Sequence, residues 1–307
     1  MTRVIAEYGT AFMHTQVTEL GGGAFAWSRT PGPANPAGGT PLSPAAREAA
    51  HDTDDAGVSL VLPERRNGSL RYILPAPFSS ARHLHSTDER ALSAVVEGLR
   101  ATGITLRRLH RRAPPPRAAT VPPGLRRLAA WLDGAERPTA AIRLRSRARR
   151  RLGSARLERV RQWCECVGTP DSVLSFLHGE PSLGRLVLAE TPASGGMLVE
   201  NEFTRGPAAF DLGWLIGELV ELDLAAAQGL GTARRLDYGK AARAFTNGYG
   251  ELPEPLVLDR SAALRVLTHV HDYAAYVGWH EDLEGYVEIL AELIDGDGGR
   301  TRDAFGL

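Results

Sequence analysis

The sequence predicts an α+β molecule of two lobes: a small β-containing lobe with a short helix over residues 1–85, and a larger, mostly helical lobe over 86–307. Three observations carry that prediction. Asn67-Gly68 stands between two apolar runs, the strongest short-range hairpin signal a sequence offers. From Ser86 onward the apolar spacing turns helical, with Leu92, Val95, Val96 and Leu99 on one face. Apolar residues make up 43% of the 307 positions and charged residues 23%, enough to bury a real core. That balance excludes disorder throughout, a collagen-like repeat and a disulfide-stapled miniprotein.

In the first lobe, residues 17–29 carry apolar and β-branched residues on both sides of Gly21-Gly22-Gly23, which reads as two short strands and a turn. Residues 30–41 are so rich in Pro and Gly that they read as loop. Ser43 is the expected cap of a short helix over PAAREAA, and strands are expected near 58–62 and 70–74 around the Asn-Gly turn. In the second lobe Ser86 is the expected cap of a helix running through LRRLH. A Pro-rich linker over 112–124 leads to helices over GLRRLAAWLDG and over 139–163, the latter broken near Gly153-Ser154. Residues 173–200 change to short strands around a loop, and four helices are expected near 207–226, 236–249, 259–277 and 281–294.

Formal charge cancels at 36 against 36, but unevenly along the chain. Residues 107–161 hold 17 arginines against Asp133, Glu136 and Glu158, a local balance of +14 that points to an anionic partner. Lys240 is the only lysine, so chemistry that needs one has a single candidate. Cys164 and Cys166 are too close for an easy bridge, which makes a reduced, intracellular setting the expectation. No apolar run approaches the roughly 18 residues of a membrane span. The start lacks the layout of a signal peptide, and a cytoplasmic location is expected.

His178-Gly179-Glu180 opens a loop that ends at Arg185, and Glu200-Asn201-Glu202 follows some 15 residues later, ahead of GPAAFDLGWLIGEL. Two acidic loops beside short strands have the chemistry to hold a divalent cation, and a carboxylate beside the cation can accept a hydroxyl proton. Two surface turns with solvated carboxylates fit the same residues. Gly22 and Gly23 suit either a cover for phosphates or a flexible turn. His269 and His271, two apart on a helix, point to different faces, and Cys164 and Cys166 lack a matching pair for zinc.

These motifs in this order resemble the aminoglycoside phosphotransferase and choline kinase superfamily, a branch of the protein-kinase-like fold. Its catalytic loop reads His-Gly-Asp, four residues, then Asn; an acidic strand-end residue follows, and a Gly-Asp-Pro-x-x-Asp-Leu segment opens a helix. Here His178-Gly179-Glu180 matches the first motif, with Arg185 at the Asn position. Glu200 matches the second, and residues 206–212 (GPAAFDL) resemble the third. LRRLHRRAPP (106–115) and AFTNGYGE (244–251) are similar to two further family segments. The resemblance spans about residues 90–275. It implies ATP and Mg²⁺ as cofactors, a catalytic-type loop at 178–185 and a metal-type loop at 199–206. Glu180 would be the base or orienter, and Glu200 with Glu202 the metal ligands. His178 would brace the loop, and Asp211 would cap the next helix and brace the catalytic loop.

The family's logic is positioning plus charge neutralisation. Three of its parts are altered here: Glu replaces Asp at 180 and at 200, and a guanidinium, which cannot ligate a cation, replaces the Asn at 185. The N-lobe lysine is missing. Arg29, Arg65, Arg66 and Arg71 are candidate phosphate contacts, and placement on expected strands favours Arg29 and Arg71. Two readings follow, an active but shifted site in which Arg185 neutralises phosphate, and a catalytically silent scaffold. Retained acidity at 180 and 200 favours the first; the missing lysine weighs against it.

Six arginines within residues 143–151 make a candidate anion-docking surface or a solvated face, with Arg143, Arg147, Arg150 and Arg151 at spacings that share one broad side. A third reading is a small-molecule antibiotic kinase, against which the basic helices stand because a cationic acceptor needs acidic walls, and no nucleic-acid module is recognisable. HGEPSLG and FDLGWLIGELVEL resemble divergent actinobacterial phosphotransferases of class V lanthipeptide and thioamitide biosynthesis. That narrower resemblance implies phosphorylation of Ser or Thr in an acidic-leader precursor peptide, with a separate lyase protein removing the phosphate.

Overall fold

A computed structural model of the chain describes residues 3–35, 42–53, 57–114, 118–135, 138–167, 174–189, 194–200, 203–230 and 235–307. The first lobe is built on strands β1 (Arg3–Gly9), β2 (Met13–Gly21) and β3 (Ala24–Pro31), followed by helix α1 (Pro44–His51), β4 (Val58–Val61), β5 (Glu64–Arg66) and β6 (Ser69–Leu74). Five of the strands form one antiparallel sheet in the order β1-β2-β3-β6-β5. Ser43 caps α1, its hydroxyl accepting from the Ala46 N–H.

The Asn67-Gly68 turn does make a hairpin, but between other partners than the sequence suggests. Asn67 and Gly68 both take positive φ (50° and 80°), as a two-residue turn of this type requires, and the turn pairs Arg66 with Ser69. The upstream strand is therefore the polar run 64–66. The apolar run at 58–61 leaves this sheet and pairs in parallel with β9 (Gly195–Leu198), which pairs with β8 (Leu186–Leu188). Its buried Val58 and Leu60 find apolar partners on the helical side of the molecule. Strand β1 has no counterpart in the sequence reading, because an exposed edge strand shows no inward-outward alternation.

Beyond the sheet come α2 (Ser80–His83), short of residue 86 where the sequence sets the start of the second lobe, and α3 (Glu89–His110). Asp88 caps α3 through the Arg90 N–H, and Ser86 acts one step earlier, on the Asp88 N–H. Next come α4 (Pro123–Asp133), stopped by Gly134 at φ 86°, and α5 (Thr139–Cys166), which kinks at Gly153 (φ 76°, ψ 167°). A two-stranded antiparallel ladder of β7 (Leu174–Leu177) and β10 (Thr204–Pro207) brackets the loops of interest. Helices α6 (Ala209–Ala227), α7 (Tyr238–Tyr249), α8 (Pro255–Tyr276), α9 (Asp282–Asp295) and α10 (Arg300–Asp303) complete the chain. Among the described residues no helix is long and apolar enough to cross a membrane.

Two apolar cores fill the second lobe, one around α3, α6 and α7, the other among α4, α5, α8 and α9. A third joins the lobes. Val17, Trp27, Leu70, Tyr72 and Leu74 of the five-stranded sheet meet Val187 of β8 and Leu198 of β9, with each of these seven side chains no more than 2% exposed. The Trp27 indole N–H donates to the Ala76 carbonyl (2.9 Å) in the segment after β6, and the Tyr72 hydroxyl donates to the Val199 carbonyl (3.0 Å).

Candidate functional site

His178, Gly179 and Glu180 follow β7 directly, and Gly179 turns the chain at φ 89°. Asp211 lies in the first turn of α6 and is fully buried. Its carboxylate accepts from the backbone N–H of His178 (2.7 Å) and Gly179 (2.8 Å) and contacts His110 Nε2 (3.1 Å), whose Nδ1 meets the Tyr249 hydroxyl. Three helices, α6, α3 and α7, thus hold the loop in one shape. The His178 ring spans the loop: Nε2 lies 3.1 Å from the Leu198 carbonyl and Nδ1 accepts from the Glu180 N–H. Burial outweighs the nearby Asp211 charge and holds the His178 imidazole below its ordinary pKa, so it is neutral.

Glu180 and Glu200, both buried, converge on one nitrogen. Arg185 Nη2 donates to Glu180 Oε2 (2.7 Å) and to Glu200 Oε2 (3.0 Å), while Nη1 donates to the Glu180 carbonyl. Arg29, on β3, makes an ion pair with the other oxygen of Glu200. Arg127, on α4, bridges Glu180 Oε1 (3.1 Å) and Asp272 Oδ2 (2.7 Å), and Asp272 also meets His271 Nδ1 (2.9 Å). Guanidinium and carboxylate therefore alternate through Arg29, Glu200, Arg185, Glu180, Arg127 and Asp272. Burial alone would raise the carboxyl pKa values; the arginines more than offset it. Glu200 is held down to about 2 by Arg29 and Arg185, Asp272 to about 2 by Arg127, and Glu180 is lowered by Arg127 and Arg185.

These residues, as arranged, do not form a magnesium site. The cation's place between the two carboxylates holds a guanidinium nitrogen, and among the described residues no group of three His, Cys, Asp or Glu side chains is set to hold a metal. Glu202 lies outside the described residues. Trp27, two residues before Arg29 on the same strand face, is buried between the five-stranded sheet and β8 and β9, against the Ala76 carbonyl.

The remaining sequence candidates separate. Arg71 stands on the sheet face opposite Arg29, since Arg29 pairs with Leu70 across the ladder, and it reaches toward Glu64 (3.7 Å) instead. Gly22 and Gly23 form the exposed β2–β3 turn, at the far end of β3 from Arg29, about 20 Å along the strand. The turn beside the site is the β1–β2 turn, which carries Phe12. Its Ala11 N–H donates to the Tyr276 carbonyl (3.0 Å), Phe12 packs on Tyr276 (centroids 4.8 Å apart), and the Arg127 guanidinium sits 4.9 Å from the Phe12 ring. Nor do the four arginines of α5 share one free face. Arg143 stacks on Trp279 (3.8 Å) and Arg147 pairs with Glu284 (3.3 Å), both toward α9, while Arg150 and Arg151 are exposed.

Sequence reasoning missed Arg127 and Asp272, which close the ion-pair chain. Nothing local marks Arg127 among so many arginines, and its partner lies 145 residues away. A cavity of about 240 Å³ opens on this chain, lined by Glu180, Ser182, Trp214, Arg265 and His269 among others.

No family model matches the chain, and no curated protein matches it by sequence. Solved structures do match. A choline/ethanolamine kinase family protein from Mesorhizobium loti covers 96% of this chain and 87% of its own, at 14% identity and TM-score 0.51. Plasmodium vivax ethanolamine kinase covers 95% of this chain and 82% of its own, at 9% identity and TM-score 0.56. At such identities the likeness concerns the path of the chain, and it agrees with the strand-then-helix order. The chain thus has the two-lobed, kinase-like α+β fold.

Proposed function

We propose that this protein is a kinase-fold binding module whose transfer centre is silent, a pseudokinase. The observation that carries the reading is the Arg185 guanidinium set between Glu180 and Glu200, where it satisfies both carboxylates with a fixed positive charge. Entry of a divalent cation would oppose that charge and strip two buried carboxylates of their partners, at about 3–5 kcal/mol for each broken buried pair. Trp27, packed between the five-stranded sheet and Val187 and Leu198, is in this reading a second barrier, standing where a base would enter between the lobes. Expelling an indole of roughly 200 Å² costs about 5 kcal/mol at ~25 cal/mol per Å². That is more than three decades of affinity, enough to move a micromolar nucleotide into the millimolar range.

A second reading is transfer of the ATP γ-phosphoryl group to Ser or Thr hydroxyls of a ribosomal precursor peptide, ahead of elimination by a separate lyase. The feature that favours it is Glu180 facing a cavity beside Ser182, on a loop whose Asp211 brace is intact. Incubation with radiolabelled ATP, Mg²⁺ and a Ser/Thr-rich peptide tests the two. The silent reading predicts no transfer or hydrolysis above that of Glu180→Gln. Turnover that drops at least a hundredfold in Glu180→Gln contradicts it.

A further inference from the structure

We propose that the loop at 178–185 is held by two separable braces, and that Arg265 of α8 is the positioning residue of the second. The first brace is Asp211, which takes the backbone N–H of His178 and of Gly179. The second begins at the Leu183 N–H, which donates to Glu218 Oε2 (2.8 Å), about two turns beyond Asp211 on α6. Glu218 Oε1 pairs with Arg265 Nη2 (3.4 Å), and Arg265 Nη1 donates to Glu221 Oε2 (3.3 Å). Glu221 Oε1 in turn meets His269 Nδ1. A polar relay therefore runs from a loop amide through α6 and α8 to an imidazole whose side chain is 45% exposed. Its two α8 members line the same cavity of about 240 Å³ as Ser182, Gly184 and Arg185 of the loop.

Charge makes Arg265 the member on which the others depend. Glu218 and Glu221 stand three apart on α6, so their carboxylates share one face and one guanidinium. Burial leaves their mutual repulsion poorly screened once that guanidinium is gone. Glu218 is the more exposed of the two, at 12% of its side chain against 2% for Glu221. It relieves the repulsion by turning to water, and the Leu183 N–H loses its acceptor. Leu183 keeps its buried side chain, and its carbonyl still accepts from the Ala81 N–H (3.2 Å). The result is a local opening around 183 with the Asp211 end unchanged. His269 acts one step back. Without its imidazole, Glu221 draws Arg265 away from Glu218, and the loop responds through two intervening side chains. The same loop carries Arg185, so the second brace also steadies the guanidinium between Glu180 and Glu200.

Amide hydrogen exchange of the full chain, followed residue by residue by NMR without nucleotide or Mg²⁺, tests the proposal. Arg265→Met should speed exchange at Leu183 at least tenfold and change Gly179 less than twofold. Arg265→Lys, which restores the charge, should return Leu183 to within threefold of wild type. His269→Ala should speed Leu183 at least threefold, again without moving Gly179. The thermal midpoint of each variant reports folding, and the partly exposed His269→Ala decides alone if Arg265→Met does not fold. Unchanged exchange at Leu183 would overturn the proposal, as would an equal rise at Gly179 or a failure of lysine to rescue. Phosphoryl transfer in the radiolabel assay would overturn the silent centre and leave this result standing, since no nucleotide takes part in it.

Discussion

Glu200 shows how one residue reports on the whole ion-pair chain. Its carboxyl is held at about 2, below the ordinary 4.5, by Arg29 and Arg185 acting against burial. A folded-state value below the unfolded one means that the unfolded chain takes up protons first as pH falls. The stabilisation is therefore complete above about pH 4.5 and is lost as pH drops toward 2. Asp272 acts in the same direction, lowered from 3.8 to about 2, and neutral buried His178 begins the loss earlier, below its ordinary 6.5. Denaturant titrations between pH 7 and pH 3 should show stability falling throughout. Glu200→Gln should cost about 3–5 kcal/mol at pH 7 by taking the carboxylate from Arg29 and leaving Arg185 with Glu180 alone, and its stability should fall less steeply than wild type below pH 4.5. Parallel curves for the two proteins would mean that Glu200 is not held in this way. At this scale the sequence was partly legible. His178, Glu180, Arg185, Glu200 and Asp211 stand in recognisable motifs; among Arg29, Arg65, Arg66 and Arg71, register sets Arg71 and Arg66 on the other face, and only the ion pair with Glu200 separates Arg29 from Arg65. Arg127 and Asp272 meet by tertiary packing alone, which no local pattern encodes.

Helices and strands carry a different kind of information. The kink at Gly153 was readable because a Gly-Ser pair interrupts a run of good helix formers. The destination of the 58–61 strand was not, since an apolar run states that it is buried but not against what. The crossing of α3 and α7 depends on a glycine from each helix for close approach. A Cβ on Gly248 of α7 would fall 1.9 Å from the Arg100 carbonyl oxygen of α3, and one on Gly103 would fall 2.2 Å from the Phe245 carbonyl oxygen. Backbone on both sides leaves no side chain to yield. Gly248→Ala should cost about 2–3 kcal/mol by forcing α3 and α7 apart, read as a lower urea midpoint. A change below about 0.5 kcal/mol would show that this crossing is looser than described. Because α3 supplies His110 to Asp211 and α7 ends at Tyr249, the same variant should also loosen the loop at 178–180.

Across the whole molecule, contacts beside the site add to the β4–β9 pairing in holding the lobes together. The Trp27 and Tyr72 cluster packs against β8 and β9, Arg29 pairs with Glu200, and the β1–β2 turn is tied to the Tyr276 carbonyl. The arginine excess over 107–161 is in part internal fastening: Arg156 takes Asp295 in a two-point grip (2.7 and 2.6 Å), Arg159 donates to the Ile294 carbonyl, and Arg147 reaches Glu284. Composition announced that charge but not its use, because a count cannot distinguish a guanidinium pinned between helices from one facing solvent. The lobed architecture and the motif order were legible in the sequence. The guanidinium set between the two carboxylates was not, since it depends on which way Arg185 points. Direct calorimetric titration of the purified chain with ATP in the presence of Mg²⁺ tests that arrangement. The account predicts no saturable heat below about 1 mM nucleotide; a dissociation constant in the low micromolar range would contradict it.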